Sequence, residues 1–299
     1  MKLGLKVDVD TLRGTREGVP QLLELLRSRG AGATFLFSLG PDHTGRAMRR
    51  VFRRGFVGKV ARTSVLEHYG LATLLYGTLL PGPDIGRRAA AQLRAVREAG
   101  FETGVHCWDH VRWQDGVAGA GESWTVAELD RACARYREIF GARPRVHGAA
   151  GWQTNAHALR YLDALGFAYA SDTRGRAPFR PRMNGETFAC PQWPTTLPTL
   201  DERVGVDGRT PEAAVRDVLA QTAAPREDHV FTAHAELEGG KMIDAFRALL
   251  DGWRGQGFQV VALGELAAGR DIAALPVHEV VYGPVPGRSG TLALQGPAA

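Results

Sequence analysis

Short runs of apolar residues alternate along the chain with longer stretches in which apolar positions recur every three or four residues. KLGLKVDVD (2–10) predicts a first strand, and GVPQLLELLRSRG (18–30) a helix closed by Gly30. GATFLFSLG (32–40) predicts a second strand, IGRRAAAQLRAVREAG (85–100) a second helix, and GFETGVHC (100–107) a third strand. TVAELDRACARYREIFG (125–141) predicts a helix with Thr125 as N-cap and Glu128 completing a capping box. RVHGAAG, AYASD, HVFTAHAE and FQVVAL predict further strands, with helices at 156–166, 211–220 and 242–255. Regular strand–helix alternation predicts an α/β fold with a parallel sheet. About seven strands in this length favour a distorted (β/α) barrel.

Two regions break the alternation. Residues 41–83 form a long insertion, basic at first and then apolar (YGLATLLYGTLLPG). Residues 267–299 are rich in Gly and Pro with little periodicity, and the stretch GPVPGRSGTLALQGPAA is expected to be loosely ordered. The expected organisation is therefore a catalytic domain over 1–266, carrying the insertion, followed by a C-terminal tail over 267–299. With 299 residues and 44% hydrophobic content, the chain can bury one large core. Cys107, Cys133 and Cys190 have no CxxC spacing, and the charged start is no secretory h-region, so reduced thiols in the cytosol are expected.

In parallel α/β folds, ligands gather at the carboxyl ends of the strands. The first predicted strand delivers Asp8 and Asp10 there, the third delivers His106 and His110, and HVFTAHAE delivers His234 and Glu236. An isolated HxxxH pair is more often structural than ligating. Beside two aspartates it becomes a candidate metal site, because a catalytic divalent ion takes about three protein ligands and leaves a position open. Residues four apart can share one face of a helical turn. With one carboxylate from a neighbouring strand they make a His₂–Asp set. Asp8 and Asp10 point the same way along an extended chain, and paired carboxylates repel unless a cation or proton separates them. One binding metal and the other acting as base is a division that meets this constraint.

The blocks VDVDTLRGTREGVPQLLELL, FSLGPDHTGR, YGTLLPG, VHCWDHVRWQ, AAGW, SDTRGRAPFRP, PTTLPTLDE and TAHAELEG resemble the polysaccharide deacetylase (carbohydrate esterase 4-like) family. More narrowly, they resemble deformylases of 4-deoxy-4-formamido-L-arabinose carried on undecaprenyl phosphate, which serve lipid A modification. The resemblance runs from about Lys2 to Leu266. It implies Asp8 as general base, His234 as general acid, and Asp10, His106 and His110 as ligands of a divalent ion such as Zn, Co or Mn. It also places Asp172 and Arg180 where the family has residues that bind substrate or orient the histidine. Trp108, Trp152 and Glu236 are added as candidate substrate contacts. The AAGW turn lacks the arginine that many relatives carry there, so the cation that orients Asp8 is left open.

The net charge is +5, and Arg46, Arg49, Arg50, Arg53, Arg54, Lys59 and Arg62 crowd one segment. Such a cluster suits nucleic acid, phosphate or an anionic surface, or is simply a solvated face. A lipid-linked substrate selects the membrane among these, with no nucleic acid expected. The apolar part of the insertion is about a dozen residues, short of the ~20 needed to span a bilayer. A peripheral protein on the cytoplasmic face of the inner membrane is therefore expected. Two alternatives remain: another carbohydrate N-deacetylase of the same family, or a non-catalytic barrel that binds anionic lipid or nucleic acid.

Overall fold

The computed structural model describes residues 1–47, 72–223 and 227–299 of the chain. In chain order the strands are β1 (Lys2–Val9), β2 (Thr34–Ser38), β3 (Glu102–Cys107), β4 (Val146–His147), β5 (Tyr169–Ala170), β6 (Arg180–Met183), β7 (Glu186–Thr187), β8 (His229–His234), β9 (Gln259–Val261), β10 (Val277–Gly283) and β11 (Leu292–Ala298). The helices are α1 (Val19–Ser28), α2 (Ile85–Arg88), α3 (Ala90–Glu98), α4 (His110–Gly116), α5 (Glu122–Phe140), α6 (Ala156–Ala164), α7 (Pro211–Ala223), α8 (Ile243–Gly255) and α9 (Leu263–Ala267).

Seven strands form one parallel sheet in the order β5-β4-β3-β2-β1-β8, with β9 also paired to β1. The edge strands β5 and β8 do not pair directly. The stretch 191–197 runs between them: Trp193 N donates to Ala170 O at 2.7 Å, and Thr196 N to Val230 O at 3.0 Å. This irregular closure makes the expected distorted barrel.

Alternation along β1 separates two environments. Leu3, Leu5, Val7 and Val9 join the main core with Val19, Leu22, Phe35, Phe231 and Phe246. Gly4, Lys6 and Asp8 take the other face, and Lys6 is completely buried. A buried ammonium needs partners. Lys6 Nζ donates to Ser171 O at 3.0 Å, lies 3.5 Å from Asp8 Oδ2, and sits 5.3 Å from the centre of the Trp152 ring.

Between β1 and α1 lies one π-helical turn, Gly14–Gly18. A Cβ on Gly18 would lie 2.0 Å from the carbonyl oxygen of Ala235, and backbone cannot step aside as a side chain can. Gly18→Ala is therefore expected to cost about 1–3 kcal/mol, as overpacking does. It should lower the melting temperature by several degrees, and an unchanged thermal melt would contradict this packing.

Two local expectations are corrected. Thr125 is not an N-cap: α5 starts a turn earlier with Gly121 as its cap, and Thr125 Oγ1 donates back to Gly121 O at 3.0 Å. Glu128 is fully buried and pairs with Arg131 and Arg112 instead of closing a capping box. Trp124, packed near the buried Trp113 with ring centres 6.1 Å apart, explains why the helix begins early. The tail is the second correction. β10 and β11 form an antiparallel hairpin, and β10 pairs in parallel with β6, giving a four-stranded sheet β11-β10-β6-β7. Phe179, Phe188, Val280 and Ala293 fill its apolar interior, so burial drives its order.

Candidate metal centre and active site

His106 is the penultimate residue of β3 and His110 opens α4, with Asp109 as N-cap between them. A strand–turn–helix corner, not one helical turn, brings the two rings together at 5.3 Å between centres. Asp109 Oδ1 accepts from Arg112 N at 3.1 Å and its Oδ2 meets His43 Nδ1 at 2.6 Å, which pins the corner. His43 belongs to the start of the insertion, as does the buried Asp42, whose Oδ2 accepts from Leu12 N at 2.9 Å. The basic cluster from Arg49 to Arg62 lies outside the described residues.

Asp10, His106 and His110 each offer a ligand atom, all within 4.8 Å of one another. His106 Nδ1 meets Gly148 O at 2.6 Å, and a carbonyl can only accept, so Nδ1 carries the proton. Nε2 then presents a lone pair to Asp10 Oδ1 at 3.2 Å, and His110 Nε2 lies 3.4 Å from Asp10 Oδ2. Asp10 Oδ1 has no hydrogen-bond partner among the described residues. Acceptors facing each other in a buried place require a cation or a proton between them. The residues thus fit a divalent ion, and the carbonyl behind His106 is the kind of outer partner that fixes a ligating imidazole.

The local charges favour the ligand form at Asp10 and His110, whereas at His106 an ion would have to displace a favoured proton. Burial works against charge on Asp10, yet His110 and His106 outweigh it and hold the carboxyl well below the usual range. Burial also disfavours a charged His106, but Asp8 and Asp10 prevail and raise it. For His110 burial wins and lowers it, which suits a neutral ligand.

Glu236 acts on this centre through the backbone. Its Oε1 accepts from Asp10 N at 3.0 Å, Thr11 N at 2.7 Å and Thr11 Oγ1 at 2.8 Å. The approach depends on Gly14, where a Cβ would lie 2.0 Å from that oxygen. Burial, then the Asp10 charge, push Glu236 up to about 8.

Asp8 is 3% exposed, and its Oδ1 has no hydrogen-bond partner among the described residues. Lys6, two residues earlier on the same face, is the cation beside it. The i, i+2 spacing was the available signal, and total burial of Lys6 was not foreseeable from it. His234 ends β8 beside Asp8, its Cα partner in the register. Its ring stands edge-on to Trp152 with centres 6.3 Å apart. Burial lowers His234, but Asp201 and Asp10 outweigh it and raise it above its ordinary value.

His234 N donates to Glu238 Oε2 at 2.7 Å. Burial pushes Glu238 up to about 7 from an ordinary 4.5. Between those values the folded chain holds a proton that the unfolded chain has lost. Its contribution to stability is full below pH 4.5 and disappears as pH rises through 7. Melting temperatures in chelator should therefore fall from pH 5 to 8 less steeply for Glu238→Gln than for the parent chain. Equal slopes would remove Glu238 as the cause.

Three expected substrate contacts sit differently. Asp172 is wholly buried, meets His147 Nδ1 at 2.7 Å and accepts from Ala149 N at 2.8 Å, so its carboxylate shapes the turn before Trp152. Arg180 lies on β6, where its backbone N donates to Pro276 O and its Nε to Leu275 O, away from the metal ligands in the second sheet. The Trp108 ring packs over Gly40, with the guanidinium of Arg135 5.2 Å and that of Arg131 6.0 Å from its centre. Trp152 does reach the site, but at 2% exposure it backs His234 instead of offering a surface.

Residues 6–170 match the polysaccharide deacetylase family model. The chain is 35% identical over 98% of its length, and 94% of the relative's, to a protein of Shewanella sediminis (strain HAW-EB3) named as probable 4-deoxy-4-formamido-L-arabinose-phosphoundecaprenol deformylase. A protein of the same name from Wigglesworthia glossinidia brevipalpis is 29% identical over 94% of this chain and 98% of its own. The first match extends beyond Leu266, so the similarity includes the hairpin. Among solved structures, a Mycobacterium smegmatis protein described as a polysaccharide deacetylase superposes with a TM-score of 0.64 at 17% identity, covering 95% of this chain and 94% of its own. A candidate metal set after β1, on β3 and at the start of α4, a parallel barrel, and these matches lead to one conclusion: the chain belongs to the polysaccharide deacetylase family.

Proposed function

We propose that the protein is a metal-dependent deformylase, removing formate from 4-deoxy-4-formamido-L-arabinose linked to undecaprenyl phosphate. The name shared by its two relatives supports the substrate. The observation that carries the chemistry is the pairing of Asp8 with His234 on adjacent strands beside Asp10, His106 and His110. Those three would hold the divalent ion, which when bound lowers the pKa of a water towards about 7 and polarises a carbonyl.

The remaining steps belong to the side chains. Asp8 Oδ1, buried and unpartnered, accepts the proton as water attacks the formyl carbon. Lys6 aims Asp8 by standing 3.5 Å from its other oxygen. His234, whose Nδ1 is also without a partner among the described residues, carries the proton given to the sugar nitrogen as the C–N bond breaks. Formate and the free amino sugar on its lipid are the products.

The test is formate release from the formamido-arabinose lipid after chelation, then with Zn²⁺, Co²⁺ or Mn²⁺ restored. Metal-dependent release is expected. Release of acetate from an acetylated sugar, with none of formate, would move the substrate to another N-acyl sugar.

Access to a lipid-linked substrate implies peripheral attachment at the cytoplasmic face of the inner membrane. No described helix is long and apolar enough to cross a membrane. Leu79 and Leu80, 81% and 42% exposed near the end of the insertion, are apolar groups suited to the interface. Leu79→Ser with Leu80→Ser should weaken co-sedimentation with anionic vesicles several-fold, given ~25 cal/mol per Å² of apolar surface. Unchanged sedimentation would remove these two residues from the contact.

A further inference from the structure

The C-terminal hairpin sends one side chain back into the barrel. Gly287, at φ +86°, packs so closely that a Cβ would lie 2.4 Å from Glu202 O, and the next residue is Arg288. Arg288 Nε donates to Glu202 Oε1 at 2.8 Å. Its Nη2 donates to Thr199 Oγ1 at 3.0 Å and Asp201 Oδ1 at 3.2 Å, while Nη1 lies 3.1 Å from Asp201 Oδ2. One guanidinium therefore grips both oxygens of Asp201 and the neighbouring Glu202. Arg174 holds the same Glu202 oxygen at 2.6 Å and donates to Leu197 O at 2.9 Å.

The two guanidiniums lie 4.8 Å and 5.0 Å from the centre of the Trp152 ring, whose Nε1 donates to Thr195 Oγ1 at 3.1 Å. Trp152 in turn stands edge-on to His234. Trp152 holds φ +51°, an uncommon conformation for so large a residue, and its surroundings must maintain it. Arg288 has its donors engaged by Glu202, Thr199 and Asp201. A planar fork used in this way fixes its partners' orientation.

We propose that Arg288 is a positioning residue for the reaction: the C-terminal hairpin delivers it to hold both oxygens of Asp201 and to fix Trp152, which stands edge-on to His234, so the acid side of the site is completed by the last two strands. This rests on the reading of His234 as the acid of an amide hydrolase. The hairpin and the metal ligands are independent parts of the fold, so damage to one leaves the other's signature intact.

Point variants test this, because removing the hairpin would strip the Phe179–Val280 apolar cluster and confound the result. Arg288→Ala should lower kcat by roughly 10- to 100-fold, the range for supporting partners of a site, with KM within about threefold and metal content unchanged. Arg288→Lys keeps the charge but not the fork and should recover only part of the rate. Arg288→Ala combined with Asp201→Asn should be no slower than the worse single variant, since both break one unit. Arg182→Ala, on β6 beside the hairpin, should leave activity unchanged. A kcat for Arg288→Ala within about twofold of the parent, a rise in KM alone, or full additivity with Asp201→Asn would each overturn the proposal.

A second measurement needs no substrate. In protein labelled with ¹⁵N-histidine, the His234 ring signals should move in Arg288→Ala and in Asp201→Asn, at matched melting temperature, while those of His106 and His110 stay. Unmoved His234 signals would overturn the proposal whatever the substrate is. Should the parent chain hydrolyse an acetamido sugar and no formamido one, the deformylase reading falls, and the same kcat ratios on that substrate decide the role of Arg288.

Discussion

Asp8→Asn should lower kcat about 10²- to 10⁴-fold, the typical weight of a general base, while metal binding persists at one ion per chain. The asparagine amide matches the carboxylate in shape but cannot take a proton from water. Asp8 is not among the three residues whose ligand atoms cluster within 4.8 Å, so the ion has no reason to leave. The variant should also melt lower, because Lys6 would lose the carboxylate 3.5 Å from its buried ammonium. Formate release and metal analysis of one preparation check both halves. A variant that keeps more than about a tenth of the parent rate would exclude Asp8 as the base.

His106→Ala is expected to have the opposite pattern: metal content falls towards zero and activity with it, below about 1% of the parent, since a catalytic site needs about three protein ligands. The substitution removes the Nε2 donor and leaves Gly148 O without its bond. His110, at the exposed start of α4, should be the more forgiving ligand, since its ring is one-fifth exposed and water can take its place. The discriminating measurement is metal affinity by titration calorimetry beside turnover. Parent-like affinity in His106→Ala would dissolve the proposed centre, even if activity were lost for other reasons.

The five residues of the proposed site could be singled out because parallel strands carry polar residues to one end, and Asp8, Asp10, His106, His110 and His234 each stand at or just after such an end. The supporting groups were harder to see for a physical reason. Asp172 looks like another strand-end carboxylate, yet it is consumed by His147 and Ala149. Thr125 and Glu128 satisfy a local capping rule that tertiary packing of Trp124 overrides. Arg288 has no local signal at all: it sits in a turn between two strands of low periodicity, and its partners are more than 80 residues away. Local pattern predicts elements, whereas the closing partners of a barrel depend on which distant segments share its interior.

β1 is made first and matched late. Its register with β8 and the bond from Asp10 N to Glu236 span 226 residues. At a synthesis rate of about 5–20 residues per second, the ribosome needs roughly 10–45 s to supply that partner. During that interval the strand bearing Lys6, Asp8 and Asp10 has neighbours on one side only. The growing chain must therefore hold its two aspartates apart from stray cations and other strands until β8 has emerged. A truncated nascent chain can then own every metal ligand and still lack the strand that brings the acid.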